Sequence, residues 1–122
     1  MPRRYAVHMS IELSDPEDAK IVTLAKATRL RTGAAQGAAV RDLDGRTYAA
    51  APVELASLRL SAVQLAVAMA VSSGAKGLEA VAVSTDDEVA DPDLAAVRDL
   101  AGTGVAVIVA DARGTATAVV HT

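Results

Sequence analysis

The stretch Glu54-Leu55-Ala56-Ser57-Leu58-Arg59-Leu60-Ser61-Ala62-Val63-Gln64-Leu65-Ala66-Val67-Ala68-Met69-Ala70-Val71-Ser72-Ser73, continued by Gly74-Ala75-Lys76-Gly77-Leu78-Glu79-Ala80-Val81-Ala82-Val83-Ser84-Thr85-Asp86, decides the fold. Its first part predicts a long helix over Leu55 to Ser73. Between Leu60 and Val71 only Ser61 and Gln64 are polar, so this helix has almost no polar face. A helix that is apolar all round has to be covered on all sides. Gly74 to Gly77 predicts a turn, and Ala80-Val81-Ala82-Val83 is an unbroken apolar run, the pattern of a strand buried on both faces.

Upstream, Ser14-Asp15-Pro16-Glu17-Asp18 predicts a helix start, with Asp15 as cap, Pro16 at the first helical position and acids at the positive end of the dipole. The helix runs to about Arg31 and ends at Gly33. Ile21, Leu24, Ala25 and Thr28 form its inner face. Lys20, Lys26, Arg29 and Arg31 lie mostly outside or near its C-terminus, a solvated helix end rather than an RNA or phosphate patch. Two short strands, Gly37 to Asp42 and Arg46 to Ala50, flank Leu43-Asp44-Gly45, and an Asp-Gly turn between such strands is a strong hairpin signal.

Downstream, Ser84 to Asp93 is an acidic loop that leads into a helix over Pro92 to Ala101, with Asp91 as the expected cap. Asp86, Asp87, Glu88, Asp91 and Asp93 offer oxygen ligands but lack the regular spacing of a calcium loop, so a solvated loop and a cap account for them. Val105 to Ala110 is another continuous apolar strand, Asp111 to Gly114 a turn, and Thr115 to Val120 a final edge strand. Helix, hairpin, helix, strand, helix, strand, strand is an α/β layered domain with a mixed five-stranded sheet.

The 122 residues make one domain, expected over 15–122 after an N-terminal extension at 1–14. The extension lacks an apolar signal core. Residues 1–8 are an upstream addition on this reading, since Met9 is an equally good start. His8 and His121 are read as ordinary surface residues. No Phe, no Trp and two Tyr leave a core of Ala, Val, Leu and Ile. The net charge of −3 argues against a general nucleic-acid binder. No cysteine is present, which excludes disulfides and thiolate metal sites and fits a cytoplasmic location. No stretch reaches the roughly 18 apolar residues of a membrane span.

Ser61 to Asp86 resembles the first metal-site helix and following strand of the small cytidine deaminases, where the helix opens with Cys-Ala-Glu-Arg. The resemblance places Ser61 on the zinc-binding Cys and Val63 on the catalytic Glu. Gly37-Ala38-Ala39 and Asp44-Gly45-Arg46 resemble the family's first hairpin. Pro52-Val53-Glu54-Leu55 falls on its ribose-binding Asn-x-Glu-Asn, of which only Glu54 matches. Pro92-Asp93-Leu94-Ala95-Ala96 falls on Pro-Cys-x-x-Cys, so Asp93 and Ala96 stand where thiolates are expected. The resemblance covers about residues 15 to 120 and implies a cytidine deaminase-like three-layer α/β/α fold.

Deamination of a cytosine ring needs a zinc-bound hydroxide and an unligated Glu to carry protons. Ser61, Asp93 and Ala96 are not a zinc donor set, and Val63 carries no proton. The expected catalytic, metal and cofactor residues are therefore none. Glu54 has two readings, a surviving nucleoside ligand or a carboxylate favoured by the start of the long helix. Competing functions follow. The first is a non-catalytic homologue, an oligomeric interaction or scaffold protein, dimer or tetramer, joined through helix 55–73. The second is a nucleoside or nucleotide sensor with a residual pocket around Glu54. The third is an enzyme of another type, with Ser61 as candidate nucleophile; a further alternative is the zinc hydrolase activity, cytidine deamination, that the resemblance implies. A Ser61 nucleophile lacks a His or Lys base nearby in sequence.

Overall fold

Asp15 opens the first helix: its Oδ1 accepts from the Glu17 N–H at 2.8 Å, and α1 spans Pro16–Thr32. Gly33 closes it with a left-handed φ of 65°. The computed structural model describes residues 10–122, so the readings of residues 1–9, His8 included, fall outside it. Within the expected extension, the Ile11 N–H donates to the Ala116 carbonyl at 2.8 Å and Leu13 packs against the core.

The hairpin forms as the Asp-Gly turn predicts, with β1 at Gly37–Asp42, β2 at Thr47–Ala50 and Gly45 at a φ of 85°. The Asp42 carboxylate braces that turn, accepting from the Asp44 and Arg46 N–H groups at 2.9 Å each and from the Tyr48 hydroxyl at 2.9 Å. Two further two-residue strands, β3 at Val53–Glu54 and β4 at Arg59–Leu60, pair with each other. Then come α2 at Ala62–Ser72, β5 at Leu78–Ser84, α3 at Asp91–Ala101, β6 at Ala106–Ala110 and β7 at Ala116–His121. The five-stranded sheet has the order β2-β1-β5-β6-β7. Only β5 and β6 run parallel, joined through α3, so the sheet is mixed, with β7 at one edge as expected.

Alternation of side chains across the strands divides the core in two. On one face Ala39, Ala80, Ala82, Ile108 and Ala110 meet Ile21, Val22 and Ala25 of α1. On the other, Ala38, Val40, Val81, Val83 and Val107 meet Val63, Ala66, Val67 and Ala70 of α2 and Val97 of α3. The result is the expected α/β/α three-layer arrangement. Small side chains let α1 lie very close to the sheet. At Gly37 an added Cβ would stand 2.2 Å from the Ala25 carbonyl oxygen and 2.9 Å from the Arg29 Cβ.

Four local expectations need correction. The long helix starts at Ala62, not Leu55, because Leu55–Leu60 is spent on the β3–β4 turn, where the Leu55 N–H donates to the Leu58 carbonyl at 2.9 Å. That helix is not covered on all sides within one chain: Ala68, Met69, Val71 and Ser72 are exposed. Ala90, not Asp91, occupies the cap position of α3 and gives no side-chain cap. Arg29 does not lie outside; it is buried beneath the C-terminal end of β5, donating to Ser84 Oγ at 3.3 Å and pairing with Asp86 at 2.9 Å. The guanidinium replaces lost water with these partners, which is what permits a charged group to be buried.

Candidate functional site

The N-termini of α2 and α3 converge, and two of the positions that the family resemblance singles out, Ser61 and Asp93, meet there. Ser61 is the cap of α2, with extended φ and ψ of −70° and 167°. Its Oγ accepts from the Gln64 N–H at 3.0 Å while the Gln64 Oε1 accepts from the Ser61 N–H at 3.0 Å. This reciprocal capping box satisfies two of the donors that a helix start leaves free.

Asp93 sits in the first turn of α3 and is 5% exposed. Ser61 Oγ donates to its Oδ1 at 2.5 Å, across 32 residues of sequence. The hydroxyl is thereby engaged on both sides, as donor to Asp93 and acceptor from Gln64. That is the state of a fastening, not of a nucleophile presented to a substrate. Val63, in the first turn of α2, is 1% exposed and belongs to the core shared with Val97. Ala96 is half-buried on α3. The structure therefore brings Ser61 and Asp93 together, and packs Val63 inward.

Glu54 is exposed in β3, opposite Arg59 through the backbone ladder. It does not join the convergence of α2 and α3 by any hydrogen bond or ion pair among the described residues. An open groove of about 370 Å³ is lined by Tyr48, Leu65, Ala68, Met69, Ser72 and Ser73. Glu54, around which the sequence reading placed a nucleoside pocket, does not line it.

Zinc, which the resemblance implies, does not fit these donors. Ala96 has no donor atom, the neutral Ser61 hydroxyl is a poor ligand, and the Asp93 carboxylate is bound to that hydroxyl. Among the described residues, no three of His, Cys, Asp and Glu stand close enough to hold a metal ion. Nor is any described helix long and apolar enough to cross a membrane.

Sequence reasoning missed two features here. The Ser61–Gln64 capping box was readable from the spacing Ser-x-x-Gln ahead of an apolar run. Arg41 carried no local signal. It is buried in β1, donating to Glu79 at 2.8 Å and Asp18 at 3.0 Å. Burial alone would lower its pKa, but these carboxylates hold it above the ordinary arginine value.

A family model described as cytidine deaminase-like matches residues 14–114. No curated protein matches the sequence significantly. Among solved structures, a cytidine deaminase from Burkholderia pseudomallei superposes with a TM-score of 0.68 at 24% identity, over 84% of this chain and 89% of that one. One from Mycobacterium leprae gives 0.65 at 18% identity, over 85% and 92%. One from Mycobacterium tuberculosis gives 0.66 at 22%, over 76% and 85%. At these identities the likeness is one of fold.

Proposed function

This chain belongs to the cytidine deaminase-like family, and we propose that it is a member without deaminase chemistry, acting as an oligomeric interaction or scaffold protein. The observation that carries this reading is the bond between Ser61 and Asp93, beside the inward-packed Val63. Hydrolytic deamination needs a metal to generate hydroxide near neutral pH and a free carboxylic acid to shuttle protons to the ring. At the corresponding positions this protein has a hydroxyl and a carboxylate bound to each other, a methyl group, and an isopropyl group in the core.

The oligomeric part of the proposal rests on α2. No charged residue lies between Ala62 and Ser73, and the outward face carries Leu65, Ala68, Met69 and Ser72. An uncharged face of small and flexible apolar side chains suits a second copy of itself, with no charge to bury on either side.

The test is metal content of the purified protein together with cytidine deamination, followed by loss of ultraviolet absorbance. Neither stoichiometric zinc nor turnover is expected. Zinc with turnover would overturn the proposal and require ligands from elsewhere in the chain. A nucleoside that raises the melting temperature without turnover would move the reading to a sensor.

A further inference from the structure

We propose that the Ser61–Asp93 hydrogen bond is a metal-independent clasp that holds the N-termini of α2 and α3 together. It is the one side-chain hydrogen bond that joins α2 and its cap to α3 among the described residues; the rest of that contact is apolar packing of α2 against Val97, Leu94 and Leu100. Apolar packing is non-directional and tolerates sliding, whereas a charge-assisted hydrogen bond at 2.5 Å fixes two backbones to one geometry. Asp93 is 95% removed from solvent by the same packing, so its carboxylate depends on a protein donor. The carboxylate belongs to the first turn of α3 and is bonded to the cap residue of α2, so the bond joins the starts of both helices. The clasp also orients α2. The Ser61 hydroxyl donates to Asp93 while its oxygen accepts from the Gln64 N–H, so cap and clasp share one atom. The clasp belongs to the folded scaffold, whatever the protein's catalytic activity.

The experiment is a double-mutant cycle in the full chain, with Ser61→Ala, Asp93→Ala and the pair, each unfolded in urea with and without EDTA. Loss of the cap by Ser61→Ala is common to both backgrounds and cancels in the cycle. Each single substitution is expected to raise the unfolding equilibrium constant by tenfold or more. The double variant is expected to fall within about threefold of the weaker single variant, because the bond can be lost only once. EDTA is expected to leave the wild-type midpoint unchanged. Losses that simply multiply would overturn the clasp, as would a midpoint that drops with chelator, since a metal would then be the fastening. If Asp93→Ala does not fold, Asp93→Asn replaces it in the cycle. That variant keeps an acceptor but not the charge, and a coupling below threefold would then reject the charge-assisted clasp.

Discussion

The Tyr48 hydroxyl donates across its own hairpin to the Asp42 carboxylate at 2.9 Å, while the Tyr48 ring lines the groove beside α2. One side chain therefore links the turn that closes β1 and β2 to the face proposed for self-association. Burial alone would raise the Asp42 pKa. The hydrogen bonds from Tyr48 and from the Arg46 and Asp44 N–H groups outweigh it and hold the carboxyl below its ordinary range. Tyr48 is shifted the other way: donating to Asp42 holds its hydroxyl above the usual phenol value, and burial adds to that.

These shifts set a pH dependence with two flanks. A depressed carboxylate contributes stability that is whole above its unfolded pKa of about 4 and is lost as pH falls through the lower folded value. A raised phenol contributes stability that is whole below about pH 10 and is lost as pH rises through the higher folded value. Tyr48→Phe is expected to lower stability at pH 7, to remove the alkaline loss and to shrink the acid one. Urea midpoints between pH 2.5 and 11 check this; an unchanged alkaline limb in the variant would refute it.

Gly37→Ala is expected to destabilise the protein by about 3 kcal/mol or more. The new Cβ would meet the Ala25 carbonyl oxygen at 2.2 Å, and backbone cannot swing aside as the end of a flexible side chain can. Equilibrium unfolding measures this, with Gly45→Ala as a control for turn strain. At Gly45 the added Cβ meets nothing within 4 Å, and only its φ of 85° opposes the change.

Val63→Glu places a carboxylate where the family resemblance expects one, yet here it is expected to cost about 3–5 kcal/mol and to give no turnover. The site is 1% exposed and surrounded by apolar α2 and α3 side chains. A stably folded variant with unchanged unfolding free energy would mean that a cavity accepts the carboxylate beside Ser61, and would reopen a catalytic reading.

Met69→Arg tests the proposed self-association. Met69 is 36% exposed in the single chain, so a charge there is solvated in a monomer and buried unpaired in an oligomer. Light scattering after size exclusion is expected to show an oligomer for the wild type and a smaller species for the variant, with unchanged far-ultraviolet circular dichroism. A wild-type monomer at micromolar concentration would end the proposal.

Local chemistry made most elements legible. Asp15, Pro16 and Gly33 mark the ends of α1, Asp44-Gly45 marks the hairpin, and the apolar runs around Val81 and Val107 mark strands buried on both faces. Each signal acts through the backbone of its own neighbours, so it can be read without knowing the fold. The start of α2 was misplaced because Leu55, Leu58 and Leu60 continue an apolar pattern through a turn, and hydropathy does not distinguish a helix face from a small hairpin. The Ser61 cap did carry the local signal for the true start.

What sequence alone determined is the order of the main elements, β3 and β4 apart, and the mixed α/β sheet, while the residue types at Ser61, Val63, Asp93 and Ala96 supply the chemical ground for the proposal of a chain without zinc hydrolase chemistry. What only the tertiary structure decided is which of these residues touch. The Ser61–Asp93 bond spans 32 residues, and the burial of Arg29 beside Ser84 and Asp86 spans 55 and 57. Such pairs have no local signature. Either partner alone reads as a solvated polar residue, and only the packing of helices on the sheet removes the water that would otherwise satisfy it.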